Sequence, residues 1–168
     1  MLKKIPLLIF SLTFLIITSM AKSQNEFTVG DCLIFKSNLG EYYGFVVIET
    51  GKKKNGAKIG VTPVIVKSKN VPTDADFRNG KIFIKDVIDG STNKNDEGFF
   101  ILHLFEPGFT AIAGRFTKVD NISLDNSKYI TGGGTSTSSL EQFEQMLNMI
   151  PALIKMGYKE AELKSYSK

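Results

Sequence analysis

One cysteine and one histidine occur in 168 residues, and that scarcity excludes most site chemistry. A zinc site takes four ligands, drawn mainly from Cys and His, so none is expected. A structural disulfide needs a second cysteine. Neither a Gly-x-Ser-x-Gly elbow nor a His-Glu-x-x-His pair occurs, which removes the usual signals of a serine hydrolase and a zinc protease. The polar stretch DGSTNKNDEG, Asp89 to Gly98, lacks the carboxylate spacing and the mid-loop glycine of a calcium loop. The expectation is no metal and no cofactor.

The two scarce residues read as structural. Cys32 follows Asp31 and lies well past Met20, away from the small-residue box of a lipoprotein. A nucleophilic thiol needs a neighbouring base and an electropositive pocket, and nothing in the sequence sets His103 beside it. Free cysteines behave as small buried hydrophobes, so Cys32 is expected to be inert in a strand. His103 sits within GFFILHLF, an apolar run in which a histidine packs in or near the core. A Ser/His/Asp set around it can be assembled only by free choice. An exported hydrolase with an unlocated carboxylate/His site is the alternative function class.

Long apolar runs are also missing, with one exception at the start. Lys3 and Lys4 precede the run Ile5 to Met20, and Ala21-Lys22-Ser23 offers the small residues of a cleavage site. This is the pattern of a secretory signal peptide over residues 1–23, and its apolar core is shorter than the roughly 20 residues of a spanning helix. The mature protein is then exported, periplasmic or extracellular, with no stable membrane anchor. Lys3, Lys4 and Lys22 leave with the leader and no acidic residue does, so the formal charge of +4 falls by three. Little remains to attract nucleic acid, which is disfavoured as a partner.

What is present is strand and turn. Short Val-, Ile-, Phe- and Tyr-rich runs alternate with Gly, Asn and Asp clusters, which predicts strands at Asp31–Ser37, Glu41–Glu49, Ala57–Ser68, Lys81–Ile88, Phe99–Phe105 and Thr110–Val119. There is no βαβ alternation, so a parallel sheet is not expected. The pattern predicts a mainly β fold, a small antiparallel meander forming a partly open barrel or sandwich over residues 24–130. TGGGTSTSS reads as a Gly/Ser/Thr linker over 131–138, because no Gly-Lys-Ser/Thr follows to make a phosphate loop. Residues 139–168 read as an amphipathic helical tail. Ser139 and Gln142 fit a capping box, and Leu140, Phe143, Met146, Leu147, Ile150, Leu153 and Ile154 form one stripe. Pro151 should kink it. The stripe is expected to dock on its own domain, with a homodimer through this helix as the other use.

With catalytic motifs missing, recognition by surface residues is the favoured function: a non-catalytic binding module with a protein partner. The candidate contacts are Tyr42 and Tyr43, amphipathic rings at a strand start, Lys52, Lys53 and Lys54 at a hairpin tip beside Asn55-Gly56, and Asp96 and Glu97. The last two are adjacent and should point to opposite faces of a strand.

The opening VGDCLIFKSNLGEYYGFVVI resembles the start of small β-rich bacterial toxin-immunity proteins. Those begin with Gly-Asp and an alternating strand, then a Gly-Lys/Glu-Tyr turn and a second strand through Gly-x-Val. The matching residues are Gly30, Asp31, Phe35, Gly40, Tyr43, Gly44 and Val46, and AGRF, Ala113 to Phe116, matches a Gly-bearing segment near that domain's end. The likeness covers Val29 to Val119. It implies a protein that binds and blocks another protein, immunity- or inhibitor-like, without an active site of its own. The leader and the helical tail depart from that pattern.

The export reading predicts that protein recovered from the producing cell begins at Gln24, by intact-mass and N-terminal analysis. A full-length chain held in the membrane fraction would show an uncleaved anchor instead.

Overall fold

The computed structural model describes residues 26–51, 56–66, 70–88 and 95–168. The expected signal peptide, the Lys52–Lys54 tip and the first part of the Asp89–Gly98 loop lie outside the described residues. The described chain is mainly β, and its eight strands form one open sheet. They are β1 (Asp31–Lys36), β2 (Tyr42–Thr50), β3 (Ile59–Ile65), β4 (Lys81–Ile88), β5 (Asn95–Leu104), β6 (Phe116–Asn121), β7 (Ile130–Thr137) and β8 (Lys159–Glu162). Three short helices accompany them: α1 (Asp74–Arg78), α2 (Gly108–Ala113) and α3 (Leu140–Leu147).

The path runs β6-β1-β2-β3-β4-β5-β7, with β8 on the far side of β4. At its centre β3 pairs with β2 along one edge and is shared between two strands along the other, Ile59–Val61 with β5 and Val64–Ile65 with β4. β4 and β5 diverge from their own hairpin and each gains an outer neighbour, β8 and β7 respectively. All pairings but one are antiparallel. β7 runs parallel to β5, which departs from the expected antiparallel meander.

That pairing also corrects the linker expected at residues 131–138. The segment is strand through Thr137, because its glycines and small polar residues allow backbone approach. A Cβ at Gly134 would stand 1.8 Å from the Ile101 carbonyl oxygen. Gly133 takes φ +96° where the ladder shifts register.

Two further expectations shift. The strand expected at Thr110–Val119 begins only at Phe116, because Gly108–Ala113 coils into α2; Ala111 and Ala113 suit a helix. The tail of 139–168 is helical only in part. Ser139 caps α3 by accepting the Gln142 amide at 3.1 Å, but Pro151 has no N–H to give the Leu147 carbonyl. The chain tightens into a 3-10 segment, Ile150–Met156, turns at Gly157 with φ +87°, and runs through β8 into a last 3-10 turn, Leu163–Tyr166.

The sheet is covered on both faces. One face carries Cys32, Ile34, Val46, Ile82, Phe99 and Ile101, roofed by Phe77 of α1, Leu124, Tyr129, Leu163 and Tyr166. The other carries Leu33, Phe35, Phe45, Val61 and Leu102, roofed by Ile112, Phe143, Leu147 and Leu153. The apolar stripe of the tail thus docks on its own domain from Leu140 to Leu153, whereas Ile154, expected on it, is exposed; each fully buried large side chain contributes roughly 1.5–3 kcal/mol. Phe143 lies 4.8 Å from Phe35, 5.5 Å from Phe45 and 5.9 Å from Phe116, ring centre to ring centre.

The first strand is pinned by a buried charge. Asp31 is fully enclosed and accepts from Lys118 at 2.6 Å, Asn121 at 2.7 Å and the Thr28 amide at 2.9 Å. Burial pushes its carboxyl up, but these donors outweigh burial and hold it below the usual aspartate value.

Gly134→Ala should cost about 1–3 kcal/mol or more in urea unfolding, since backbone must move to admit the methyl. Gly114→Ala, at φ −65° and with its nearest neighbour at 3.5 Å, should be neutral or stabilise by about 0.4–1 kcal/mol.

Candidate functional site

The site starts at the β1–β2 turn. Gly40 takes φ +82°, and the Ser37 amide donates to the Glu41 carbonyl at 2.8 Å while the Ser37 hydroxyl accepts the Glu41 amide at 3.1 Å. This tight turn holds Leu39 outward, 84% exposed. Facing it is α3, and between them lies a groove of about 420 Å3. Leu39, Leu140 and Leu147 give its apolar wall; Glu41, Glu141 and Glu144 give it acidity; Tyr43 is at its edge.

The groove is braced from behind by Arg115, in the turn between α2 and β6. Its guanidinium donates to Glu144 at 2.8 Å, to the Asn38 side chain at 3.0 Å and to the Lys36 carbonyl, and stacks 4.7 Å over the Phe35 ring. The Asn38 backbone N–H donates to both Glu144 oxygens, at 3.0 and 3.2 Å. Turn and helix are therefore tied by one ion pair with planar, multiply donated geometry. Glu144 is occupied by this clasp. The Glu41 carboxylate accepts only from the Tyr43 hydroxyl among the hydrogen bonds described, at 2.8 Å. Burial, that bond and the charges of Glu41 and Glu144 push the Tyr43 phenol up to about 12, so it stays a donor near neutral pH.

Other expected contact residues lie elsewhere. Tyr42 and Tyr43 alternate as expected, but both faces of the sheet are covered, so each ring packs partly on a different core. Lys36 sits 5.5 Å over Tyr42. Asp96 and Glu97 are on β5, opposite Val87 and Asp86. Glu97 turns to the molecule's own use, accepting from the Tyr166 hydroxyl and lying 3.8 Å from Lys159. The structure thus joins Tyr43 to a groove and does not join it to Asp96 or Glu97. Leu39, Glu41, Arg115, Glu141 and Glu144 were not anticipated. An apolar residue in an otherwise polar turn is the one signal that pointed to Leu39.

His103 and Cys32 are not neighbours in register: Cys32 is on β1 opposite Val46, and His103 is on β5 opposite Gly60. His103 instead meets Glu49. Gly60 of β3 pairs with Glu49 on one side and His103 on the other, and its missing side chain lets the two approach to 3.4 Å above it. Neither His103 nor Cys32 lines any of the three cavities described. A second cavity, of about 430 Å3, is bordered by Arg78, Asn121, Ser123, Lys164 and Lys168. Among the described residues no cluster of three or more His, Cys, Asp or Glu is placed to hold a metal ion. No helix among them is long and apolar enough to cross a membrane.

Cys32 is fully buried and donates weakly to the Gly30 carbonyl at 3.7 Å. Burial, then the charges of Asp120 and Asp31, push its thiol up to about 12. Native protein at pH 7–8 should therefore resist iodoacetamide, and urea should release a single reactive thiol; fast native labelling would contradict this burial.

Comparison of the chain with protein-family models, with curated proteins and with solved structures returned no match.

Proposed function

We propose that this protein is an exported, non-catalytic binding module, acting in the periplasm or outside the cell by recognising a protein partner, in the manner of an immunity protein or inhibitor. The observation that carries the reading is the groove beside Tyr43. It pairs an 84% exposed leucine with acidic and amide side chains on a braced turn and helix. An apolar centre with a polar rim is the composition of a recognition surface, and rigid elements that present such a surface lower the ordering cost of binding. The exposed Leu39 would be its anchor, with Tyr43 and the rim carboxylates around it.

A hydrolase is the second reading, and the Glu49–His103 contact is what favours it. A carboxylate orienting a histidine is a recurring general-base arrangement. Its weakness is location: the pair lies over the sheet on the face roofed by Tyr129, away from the cavities described.

A photo-crosslinking benzoylphenylalanine in place of Leu39, with the same residue in place of the exposed Val71 as a control, separates the two. The binding reading expects a light-dependent adduct with a protein of the cell envelope from position 39 and none from position 71. No adduct from position 39, together with peptide or glycan turnover that His103→Ala abolishes, would replace it with the hydrolase.

A further inference from the structure

Resting on the protein-binding reading, we propose that the groove between the β1–β2 turn and α3 receives a partner-protein segment that presents a lysine or arginine next to an aliphatic side chain. The first argument is charge. Glu41, Glu141 and Glu144 line the groove, and no basic side chain does. Arg115 neutralises Glu144 from behind, at 2.8 Å, which leaves Glu41 and Glu141 as uncompensated charge facing the space. Glu141 is fixed locally by the Gln145 amide at 3.5 Å, and Glu41 by the Tyr43 phenol at 2.8 Å. Both partners are neutral, so neither cancels the carboxylate.

The second argument is the apolar wall. Leu39 is 84% exposed and lines the same space as Leu140 and Leu147, so an aliphatic group entering the groove would cover it. At about 420 Å3, the space has the size of a site for a few side chains. A cation alone would leave Leu39 in water, and an apolar group alone would strand two carboxylates against hydrocarbon, an unfavourable burial. One segment carrying both, the base against Glu41 and Glu141 and the aliphatic chain against Leu39, satisfies the whole lining.

The test uses the full mature chain and a fluorescein-labelled decapeptide of alternating lysine and leucine, read by anisotropy across salt concentration. A peptide with glutamate in place of lysine is the control. Saturable binding of the lysine peptide is expected, weakened about tenfold by the double change Glu41→Gln with Glu141→Gln, and with a flatter salt dependence. Removing the same two charges at the exposed Glu26 and Glu106 should leave affinity within about twofold, and Leu39→Ala should weaken both salt regimes alike. Equal losses from the remote pair, equal binding of the glutamate peptide, or no binding at all would overturn the proposal. So would self-association on sedimentation that Leu39→Ala abolishes, because the groove would then hold a second copy of this chain. A position-39 crosslink that persists while the lysine peptide fails refutes only the occupant's chemistry. Loss of both refutes the protein-binding reading as well.

Discussion

The approach of Gly134 to the Ile101 carbonyl governs much of what lies downstream. Only a glycine lets β7 lie against β5 at that point, and β7 in that position delivers Thr137 to the Phe105 amide and Ser139 to the start of α3. The helix then has no choice but to lie over Phe35 and Phe45. A flexible tether in the same place would leave α3 free to dock at many angles, at an entropic cost. Because the connection is a strand, the helix is aimed before it packs. Gly108 tightens the same junction, since a side chain there would strike the backbone of Ser138.

The groove follows from that aim. Its two walls come from opposite ends of the chain, and the side chain that joins them, Arg115, comes from a third place. Residues 38, 115 and 144 meet because β1, β6 and α3 all converge on Phe116 and Phe143. The ring cluster sets the distances; the ion pair fixes the angle. A surface pair of this kind is worth little by itself, but here the guanidinium also covers Phe35 and holds a backbone carbonyl, so it acts as a brace for the turn.

The strands that were legible in the sequence are those whose side chains pay attention to a core. β1, β2 and β4 fall within a residue or so of expectation, and β5 begins earlier, at Asn95, because its polar first residues are held by pairing with β4. β7 was illegible for the opposite reason. Its stability lies in backbone hydrogen bonds and close approach, neither of which hydrophobic patterning reports, and the same Gly/Ser/Thr composition describes a linker. α2 is too short for periodicity to register. At the site, Tyr43 could be picked out as a ring at a strand start, whereas Arg115 and Glu144 are joined only by the fold. His103 was legible as a near-core histidine, yet its companion Glu49 depends on Gly60, a residue whose contribution is to be absent.

The covering of both faces has an optical consequence. The chain has five tyrosines and no tryptophan, so its near-ultraviolet emission is that of tyrosine alone. Tyr42, Tyr129 and Tyr166 pack with one core, and Tyr43 and Tyr158 with the other. Each side holds one phenol against a carboxylate, Tyr166 on Glu97 and Tyr43 on Glu41, an arrangement in which the excited phenol passes its proton and goes dark. The groove therefore carries its own optical reporter, dark while Tyr43 donates to Glu41 and lit when a ligand takes Glu41 from it, and a molecule with a single sheet reports its two sides through separate chromophores.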